Sequence, residues 1–258
     1  DGEKIPISLV KRKDTPENSP TLLYGYGSYG ISIPPSFSAS RLSLIDRGMV
    51  YAIAHIRGGM DKGKKWYQDG KKKKKINTFE DFICSALYLK KERISGEISI
   101  HGGSAGGLLV GATLNIRPDI FKAAVAEVPF VDVLNTILDD TLPLTPPEWE
   151  EWGNPIKNIE DFQYISSYSP YDNIKEQDYP TLLVTSGLTD PRVTYWEATK
   201  WVAKLRDKKT DTNPLFLKTY TEAGHGGMAG RYNQIKEVAF TYAFILWSHN
   251  LLKRPISS

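Results

Sequence analysis

The sequence predicts an α/β fold in which a central, mostly parallel sheet carries helices on both faces. Short runs of β-branched and other apolar residues alternate along the chain with longer segments whose apolar residues recur at helical spacing. This alternation is typical of sheets whose strands are joined by helices. The length of 258 residues is enough to bury both faces of such a sheet. We therefore predict one domain over residues 1–258.

Seven runs are predicted to be strands, because each is short, rich in residues that favour the extended conformation and bounded by turn-forming residues. The runs are residues 5–10, 21–24, 50–55, 97–100, 123–128, 181–186 and 215–219. In the second half of the chain a helical pattern lies between successive runs. We expect those strands to be parallel, because a helix returns the chain to the end of the sheet from which it left.

Helical patterns begin near residue 80 and recur at 104–116, 193–206 and 235–252. Cys84 falls within the apolar stripe of the first pattern, so we expect its thiol to be buried. His249 falls within the last pattern, and we expect it on the helix surface. The glycine-containing stretch 57–70 shows no clear period, which predicts an irregular loop.

The formal net charge is only +3, although Lys71 to Lys75 form an unbroken basic run. Such a run can bind nucleic acid. No aromatic residue interrupts it, however, and a helical pattern follows it directly. We therefore interpret the run as a solvated connection and predict no nucleic-acid partner.

The composition, with 40% hydrophobic and 24% charged residues, is ordinary for a water-soluble globular protein. No apolar run is long enough to cross a bilayer, and the residues after Asp1 do not resemble a signal peptide. The single cysteine cannot form an internal disulfide, which fits a reducing compartment. These features predict a cytoplasmic protein without a membrane partner. The sequence contains no recognisable metal-ligand cluster, and we predict no cofactor.

The segment Gly102-Gly103-Ser104-Ala105-Gly106 lies where the fourth predicted strand gives way to a helical pattern. Gly-x-Ser-x-Gly in this setting is typical of a nucleophile elbow, in which small residues allow a strained turn that exposes the serine hydroxyl. The motif favours an α/β-hydrolase fold and a serine hydrolase. The alternative is a glycine-rich turn that binds a phosphate at the helix N-terminus.

An exposed serine needs a base and a group that orients the base. His225 lies in a glycine-flanked loop after the last predicted strand, and Asp190 lies in the loop after the sixth. Loops that follow parallel strands meet at one edge of the sheet, where catalytic groups lie. The order Ser104, Asp190, His225 is also the order found in α/β-hydrolases. We therefore predict a catalytic triad, although aspartate and histidine are each also common in ordinary turns.

Five segments spread over nearly the whole chain form a specific set. They are Leu23-Tyr24-Gly25-Tyr26-Gly27-Ser28-Tyr29-Gly30, Ile56-Arg57-Gly58-Gly59, Gly102-Gly103-Ser104-Ala105-Gly106-Gly107-Leu108-Leu109, Glu151-Trp152-Gly153-Asn154-Pro155 and Ala223-Gly224-His225-Gly226-Gly227. Together they resemble the catalytic domain of the prolyl oligopeptidase family, and in particular its oligopeptidase B branch. The resemblance implies a serine peptidase that cleaves short peptides after arginine or lysine, with the same three triad residues.

The resemblance also implies further contacts to the substrate. The hydroxyl of Tyr26 and the backbone N–H of Ala105 are expected to bind the oxyanion, since preorganised donors stabilise charge that develops in the transition state. Arg192 matches an arginine that contacts the substrate backbone. Tyr29 is expected to border the same site.

The segment from Thr145 to Trp152 contains three carboxylates that alternate with two indoles. A carboxylate beside an aromatic wall suits a guanidinium, which can form paired hydrogen bonds and stack on a ring. By the resemblance, Glu148 and then Glu150 are the candidates that bind the basic side chain, and Phe130 is the stacking ring. A solvated acidic turn is the alternative for this segment.

Relatives carry a β-propeller before the catalytic domain, and nothing in this sequence resembles a propeller blade. The chain begins at Asp1 without an initiator Met, which leaves a fragment as one alternative; if the native chain is longer, its partner is an N-terminal propeller domain. A preference for paired basic residues is not supported, because Pro34 and Ser36 lie where some relatives have acidic residues. Two other functions stay open: an esterase or other acyl hydrolase on the same fold, and a non-catalytic domain kept for binding.

Overall fold

A computed structural model describes residues 1–252 and contains, within that range, a seven-stranded sheet. The strands are β1 (Ile7–Val10), β2 (Ser19–Tyr24), β3 (Val50–Ala54), β4 (Ser95–Gly103), β5 (Ala123–Glu127), β6 (Thr181–Gly187) and β7 (Leu215–Tyr220). Their order across the sheet is β1-β3-β2-β4-β5-β6-β7. Each of the seven predicted runs overlaps one of these strands, so the predicted strands are confirmed.

Strand direction gathers the loops at one edge of the sheet. β1 pairs antiparallel with β3, and every other neighbouring pair is parallel. The carboxyl ends of parallel strands lie at the same edge. The loops after β2, β4, β6 and β7 therefore meet there.

Helices connect the strands. They are α1 (Ala39–Ile45), α2 (Lys64–Gln68), α3 (Ile76–Lys91), α4 (Ala105–Ile116), α5 (Val133–Leu138), α6 (Thr145–Trp152), α7 (Ile159–Tyr168), α8 (Tyr195–Lys208) and α9 (Arg231–Ser248). The predicted patterns correspond to α3, α4, α8 and α9. The other helices were not predicted, because ten residues or fewer show little periodicity. No helix within residues 1–252 is both long and apolar enough to cross a membrane.

The sheet separates two apolar cores, because successive side chains of a strand point to opposite faces. In β2, Leu22 packs in the smaller core with side chains of α1 and α9. The next residue, Leu23, packs in the larger core with side chains of α3, α4 and α8. Helices therefore cover both faces, as the sequence predicts.

Two expectations for helical residues are wrong. Cys84 is exposed, since it lies two positions from the buried residues Phe82 and Ala86 and a helix turns by about 200° over two residues. His249 is buried at the end of α9, where its Nε2 lies 2.8 Å from Ser99 Oγ of β4. Because Ser99 provides a polar partner in the sheet, the imidazole can be buried.

The basic run and the stretch before it also differ from expectation. The stretch 57–70 is not a loop throughout, because it contains α2. Lysines 71 to 74 are partly or fully exposed, as a solvated connection requires. Lys75 is only 1% exposed, so that interpretation is wrong for this residue. Its ammonium is accommodated by polar partners from the loop after β2.

Candidate active site

Ser104 lies in the turn between β4 and α4. Its backbone has a φ of 57° and a ψ of −120°, which residues other than glycine rarely adopt. A side chain at Gly102 would collide with the carbonyl of Gly106, and one at Gly106 would press on the carbonyl of Gly25. The turn therefore requires its glycines, and the structure contains the elbow that the sequence predicts.

The side chains of Ser104, His225 and Asp190 form a continuous hydrogen-bonded chain. Ser104 Oγ lies 2.9 Å from His225 Nε2, and His225 Nδ1 lies 2.7 Å from Asp190 Oδ2. Asp190 Oδ1 also accepts hydrogen bonds from the backbone N–H groups of Arg192 and Val193. Burial by itself would raise the pKa of Asp190, but these bonds and the one from His225 outweigh burial and lower it. An ionised Asp190 can therefore orient the imidazole.

Two candidate hydrogen-bond donors border Ser104. Tyr26 follows β2, lines the same cavity as Ser104 and interacts with the Ser104 side chain. Burial raises the pKa of Tyr26, so the phenol keeps its proton at neutral pH. Ala105 is the first residue of α4, where backbone N–H groups have no acceptor within the helix. The arrangement can stabilise an oxyanion.

A cavity of about 330 Å³ opens beside Ser104 and His225. Loops after β2 and β5, the helix α6 and the segment before α8 form its walls. The predicted substrate-contacting residues that line it are Tyr26, Tyr29, Phe130, Glu148 and Arg192. No group of three or more histidine, cysteine, aspartate or glutamate residues that could hold a metal ion is found in residues 1–252.

Within residues 1–252, the two carboxylate oxygens of Glu148 differ in their hydrogen bonds. Its Oε2 accepts hydrogen bonds from the Tyr29 hydroxyl at 3.1 Å and from Trp152 Nε1 at 2.8 Å. Across the described part of the chain, no hydrogen bond is formed to Oε1. Burial raises the pKa of Glu148. A partly buried carboxylate with a free oxygen can bind a cation such as a guanidinium.

Glu150 does not reach the cavity. Its side chain is 86% exposed and forms an ion pair with Lys72. Glu150 lies two positions after Glu148, which corresponds to a rotation of about 200° around α6. The expectation that Glu150 borders the substrate site is therefore corrected. Phe130, in contrast, lines the cavity and packs against Trp152 with ring centroids 5.4 Å apart.

Glu151 is a buried residue of the site that sequence reasoning missed. Its Oε1 accepts a hydrogen bond from the backbone N–H of Tyr29 at 2.9 Å, and its Oε2 accepts one from the Tyr67 hydroxyl at 2.6 Å. Glu151 thus supports the loop that carries Tyr29. A helical interpretation of α6 would have found it, because residues three apart, such as Glu148 and Glu151, share a helix face.

Two further carboxylates support the walls of the site. Glu197 of α8 accepts hydrogen bonds from the N–H groups of Val131 and Asp132, each at 3.0 Å. Burial raises the pKa of Glu197 to about 7. Glu237 of α9 accepts a hydrogen bond from the N–H of Met228, in the loop after β7, at 2.8 Å. No sequence motif marks either glutamate, since Glu197 acts on a distant segment and Glu237 acts on a loop whose path is not evident from the sequence.

Comparison with known proteins identifies the family. The sequence model of the prolyl oligopeptidase family matches residues 35–251. The chain belongs to this family. Among curated relatives, Protease 2 from Moraxella lacunata is 49% identical over 249 residues, which cover 95% of this chain and 36% of that protein. Dipeptidyl aminopeptidase BI from Pseudoxanthomonas mexicana is 51% identical over 251 residues, with 95% of this chain and 35% of that protein covered.

Solved structures of the prolyl oligopeptidase family share the fold of this chain. Oligopeptidase B from Leishmania major matches with a TM-score of 0.96 and 49% identity, over 98% of this chain and 36% of that chain. The predicted α/β-hydrolase fold and the resemblance to the family are therefore confirmed. The chain spans about 36% of the length of these relatives.

Proposed function

We propose that this chain is the catalytic domain of a serine oligopeptidase that cleaves short peptides after arginine or lysine. The observation that carries the proposal is the hydrogen-bonded chain from Ser104 through His225 to Asp190, beside a cavity lined by Glu148. Membership in the prolyl oligopeptidase family and the likeness to oligopeptidase B support it.

Acylation follows from the positions of the three triad residues. Ser104 Oγ attacks the carbonyl carbon of the scissile bond while His225 Nε2 takes the hydroxyl proton. Asp190 keeps the imidazole oriented and stabilises its positive charge. The carbonyl oxygen becomes an oxyanion that accepts hydrogen bonds from the Tyr26 hydroxyl and the Ala105 N–H. His225 then gives its proton to the leaving amine, and the acyl part stays on Ser104 as an ester.

Deacylation repeats these steps with water as the nucleophile. His225 removes a proton from a water molecule, which attacks the ester carbonyl. The new oxyanion uses the same two donors, Tyr26 and Ala105. Its collapse breaks the ester bond, and Ser104 Oγ takes the proton back from His225. The product leaves with arginine or lysine at its carboxyl end.

Glu148 supplies the preference for a basic residue before the cleaved bond. Two hydrogen bonds fix its Oε2, and its other oxygen has no partner within residues 1–252. A guanidinium that binds this oxygen neutralises a partly buried charge, and Phe130 provides an apolar wall for the side-chain stem. Arg192, exposed at the rim of the cavity, is the candidate contact to the substrate backbone.

A dipeptidyl aminopeptidase is the second candidate, because a relative of that name is 51% identical to this chain. Substrates with free and blocked α-amino groups separate the two activities. An oligopeptidase cleaves an N-terminally blocked arginyl amide, whereas release of dipeptides requires the free amine. An esterase would hydrolyse simple acyl esters while failing on arginyl amides.

The intact protein, by the same proposal, carries an N-terminal β-propeller as its partner domain. The share of the relatives that this chain spans, about 36%, supports a longer protein. We also propose a cytoplasmic location, supported by the presence of a single cysteine in 258 residues.

Labelling with a fluorophosphonate tests the proposed nucleophile, because only an activated serine reacts readily. Ser104→Ala should abolish labelling and lower turnover of a basic peptide amide by at least about a thousandfold. Ser40→Ala, which changes an exposed serine of α1, should alter neither. Undiminished labelling in Ser104→Ala would refute the assignment.

A further inference from the structure

The basic run contains one lysine whose environment differs from that of its neighbours. Lys75 is 1% exposed, whereas Lys73 and Lys74 are exposed. Its Nζ donates a hydrogen bond to the carbonyl of Gly27 at 2.6 Å and another to Ser28 Oγ at 2.7 Å. Both acceptors belong to the loop after β2, residues 25–30, which we call the tyrosine loop.

Burial of this ammonium is unfavourable by itself. It lowers the pKa of Lys75 to about 8. Within residues 1–252, Lys75 forms no ion pair, and Glu151 attracts it only from a longer distance. The ring of Trp152, with its centroid 5.1 Å from Nζ, adds a cation–π contact. The hydrogen bonds from Lys75 to the tyrosine loop therefore offset part of the cost of burying its charge.

The tyrosine loop needs support from outside. Gly27 and Tyr29 both have positive φ, 74° and 58°, a conformation that is uncommon for a tyrosine. Such conformations persist when surrounding contacts fix them. Lys75 binds the loop at Gly27 and Ser28, and Glu151 binds it at the N–H of Tyr29. The point that Lys75 holds therefore directly follows Tyr26.

We propose that Lys75 is a positioning residue for the oxyanion-binding tyrosine: by fixing Gly27 and Ser28 it holds the Tyr26 hydroxyl beside Ser104. The inference rests on the proposed function of Tyr26 as an oxyanion donor. The backbone at Gly27 packs closely against α3, because a side chain at this position would collide with Thr78. Without the ammonium, the loop loses both of these hydrogen bonds.

Hydrogen exchange of the intact protein tests whether Lys75 orders the loop. Lys75→Met keeps a long, unbranched side chain and removes both hydrogen bonds of the ammonium. Peptides that cover residues 25–30 should exchange at least about tenfold faster, while peptides of α8 stay unchanged. Lys74→Met is the matched control, since Lys74 is exposed and pairs with Asp69, away from the tyrosine loop. Unchanged exchange in the tyrosine loop would overturn the proposal, independently of any catalytic measurement.

Steady-state kinetics test whether the order of the tyrosine loop matters for catalysis. The concentration of active sites is first determined by titration, so that kcat refers to active enzyme only. Lys75→Met should lower kcat by at least about tenfold with little change in KM, because an oxyanion donor acts on the transition state. When Lys75→Met is added to Tyr26→Phe, kcat should fall by less than about a further twofold, since both changes remove the same contact to the oxyanion. Multiplicative losses, or a kcat equal to that of Lys74→Met, would overturn the positioning role.

A second variant tests the proposal if Lys75→Met does not fold. Ser28→Ala removes one acceptor of the ammonium and should produce smaller effects in the same direction. If neither the exchange of the tyrosine loop nor kcat changes in Ser28→Ala, the proposal is overturned.

Failure of the proposed function would give a different result. Turnover that persists in Ser104→Ala refutes the nucleophile and the catalytic role of Lys75 together, while loop exchange still decides whether Lys75 orders residues 25–30.

Discussion

At the scale of single residues, Glu148 and Glu150 show how position on a helix determines what a carboxylate can do. Both lie in α6, yet one lines the cavity and the other pairs with Lys72 in solvent. Burial raises the pKa of Glu148, whereas the hydrogen bond and charge of Lys72 lower the pKa of Glu150. The two residues therefore form a natural pair of test and control variants.

Glu148→Gln should reduce the preference for arginine over its neutral isostere citrulline by at least about 30-fold, the effect of about 2 kcal/mol for a desolvated charge pair. The measurement is the ratio of kcat/KM for two peptide amides that differ only at that position. Loss of the catalytic rate for both substrates alike would show that Glu148 supports the fold. Glu150→Gln should leave the ratio unchanged.

The same ratio should depend on pH. Because the pKa of Glu148 is raised, its carboxylate takes up a proton at a higher pH than an ordinary glutamate does. Preference for arginine should therefore decline as the pH falls toward that pKa. Any change in catalytic rate that both substrates share cancels in the ratio. A ratio that stays constant down to about pH 5 would contradict the prediction.

Glu151→Ala should destabilise the protein by about 2 to 4 kcal/mol, because the N–H of Tyr29 and the hydroxyl of Tyr67 lose their acceptor. Urea unfolding measures the change. The control Glu150→Ala should show no measurable difference, since that side chain is exposed. Equal stability of the two variants would mean that water replaces Glu151 at both donors.

At the scale of elements, α9 connects the sheet to the loop that carries His225. Near its middle, Thr241 donates to Glu127 Oε1 at 2.8 Å, and Glu237 accepts from Met228. At its end, His249 approaches Ser99 of β4. One helix thus binds the loop that carries His225 and contacts the strand that ends at Ser104.

The free energy of unfolding should decrease as the pH falls, because of His249 at the end of α9. Burial lowers the pKa of His249 below 6.5, in spite of the opposing bond to Glu97. The unfolded chain therefore takes up a proton at a pH where the folded chain does not, so the contribution of His249 is lost as the pH falls below about 6.5. Urea unfolding from about pH 8 to about pH 5.5 should show a steeper decline than in His249→Gln. Parallel curves for the two proteins would contradict this.

At the scale of the whole molecule, the chain corresponds to about 36% of its relatives, and it exposes large apolar side chains. Phe37, which follows the cavity-lining residue Ile31 along the chain, is 83% exposed, and Tyr232 of α9 is 79% exposed. Exposed apolar side chains of this size, when they adjoin, are typical of surfaces that another protein surface covers. In contrast, Trp152 and Phe130 are buried within this chain and need no cover.

Residues 1–258 alone should bind more of a dye that reports apolar surface than the intact protein does, and they should self-associate as their concentration rises. The reason is that the proposed partner domain covers part of this surface. Dye fluorescence and size-exclusion chromatography at several concentrations measure both effects. Equal dye binding together with a strictly monomeric fragment would mean that these side chains need no cover.

Much of the fold and the core of the candidate site could be predicted from the sequence. The strands were recognisable because short runs of apolar, β-branched residues are typical of strands in a buried sheet. The elbow was recognisable because its backbone demands glycine at fixed positions around Ser104. His225 and Asp190 followed from the rule that loops after parallel strands meet at one edge. These are local patterns combined with a topological rule, so they need no knowledge of side-chain partners.

Tertiary structure alone decided which charged residues are buried and what they contact. Lys75 looks like its four neighbours in the sequence, yet it binds Ser28, 47 residues away. Glu151 acts on Tyr29 across 122 residues, and His249 meets Ser99 across 150. The environment of a buried polar group depends on partners that only the assembled fold brings together, because burial without such partners is too unfavourable to persist. The sequence by itself therefore determined the sheet, the elbow and the order of the triad, while the packed structure determined the supports that hold them in place.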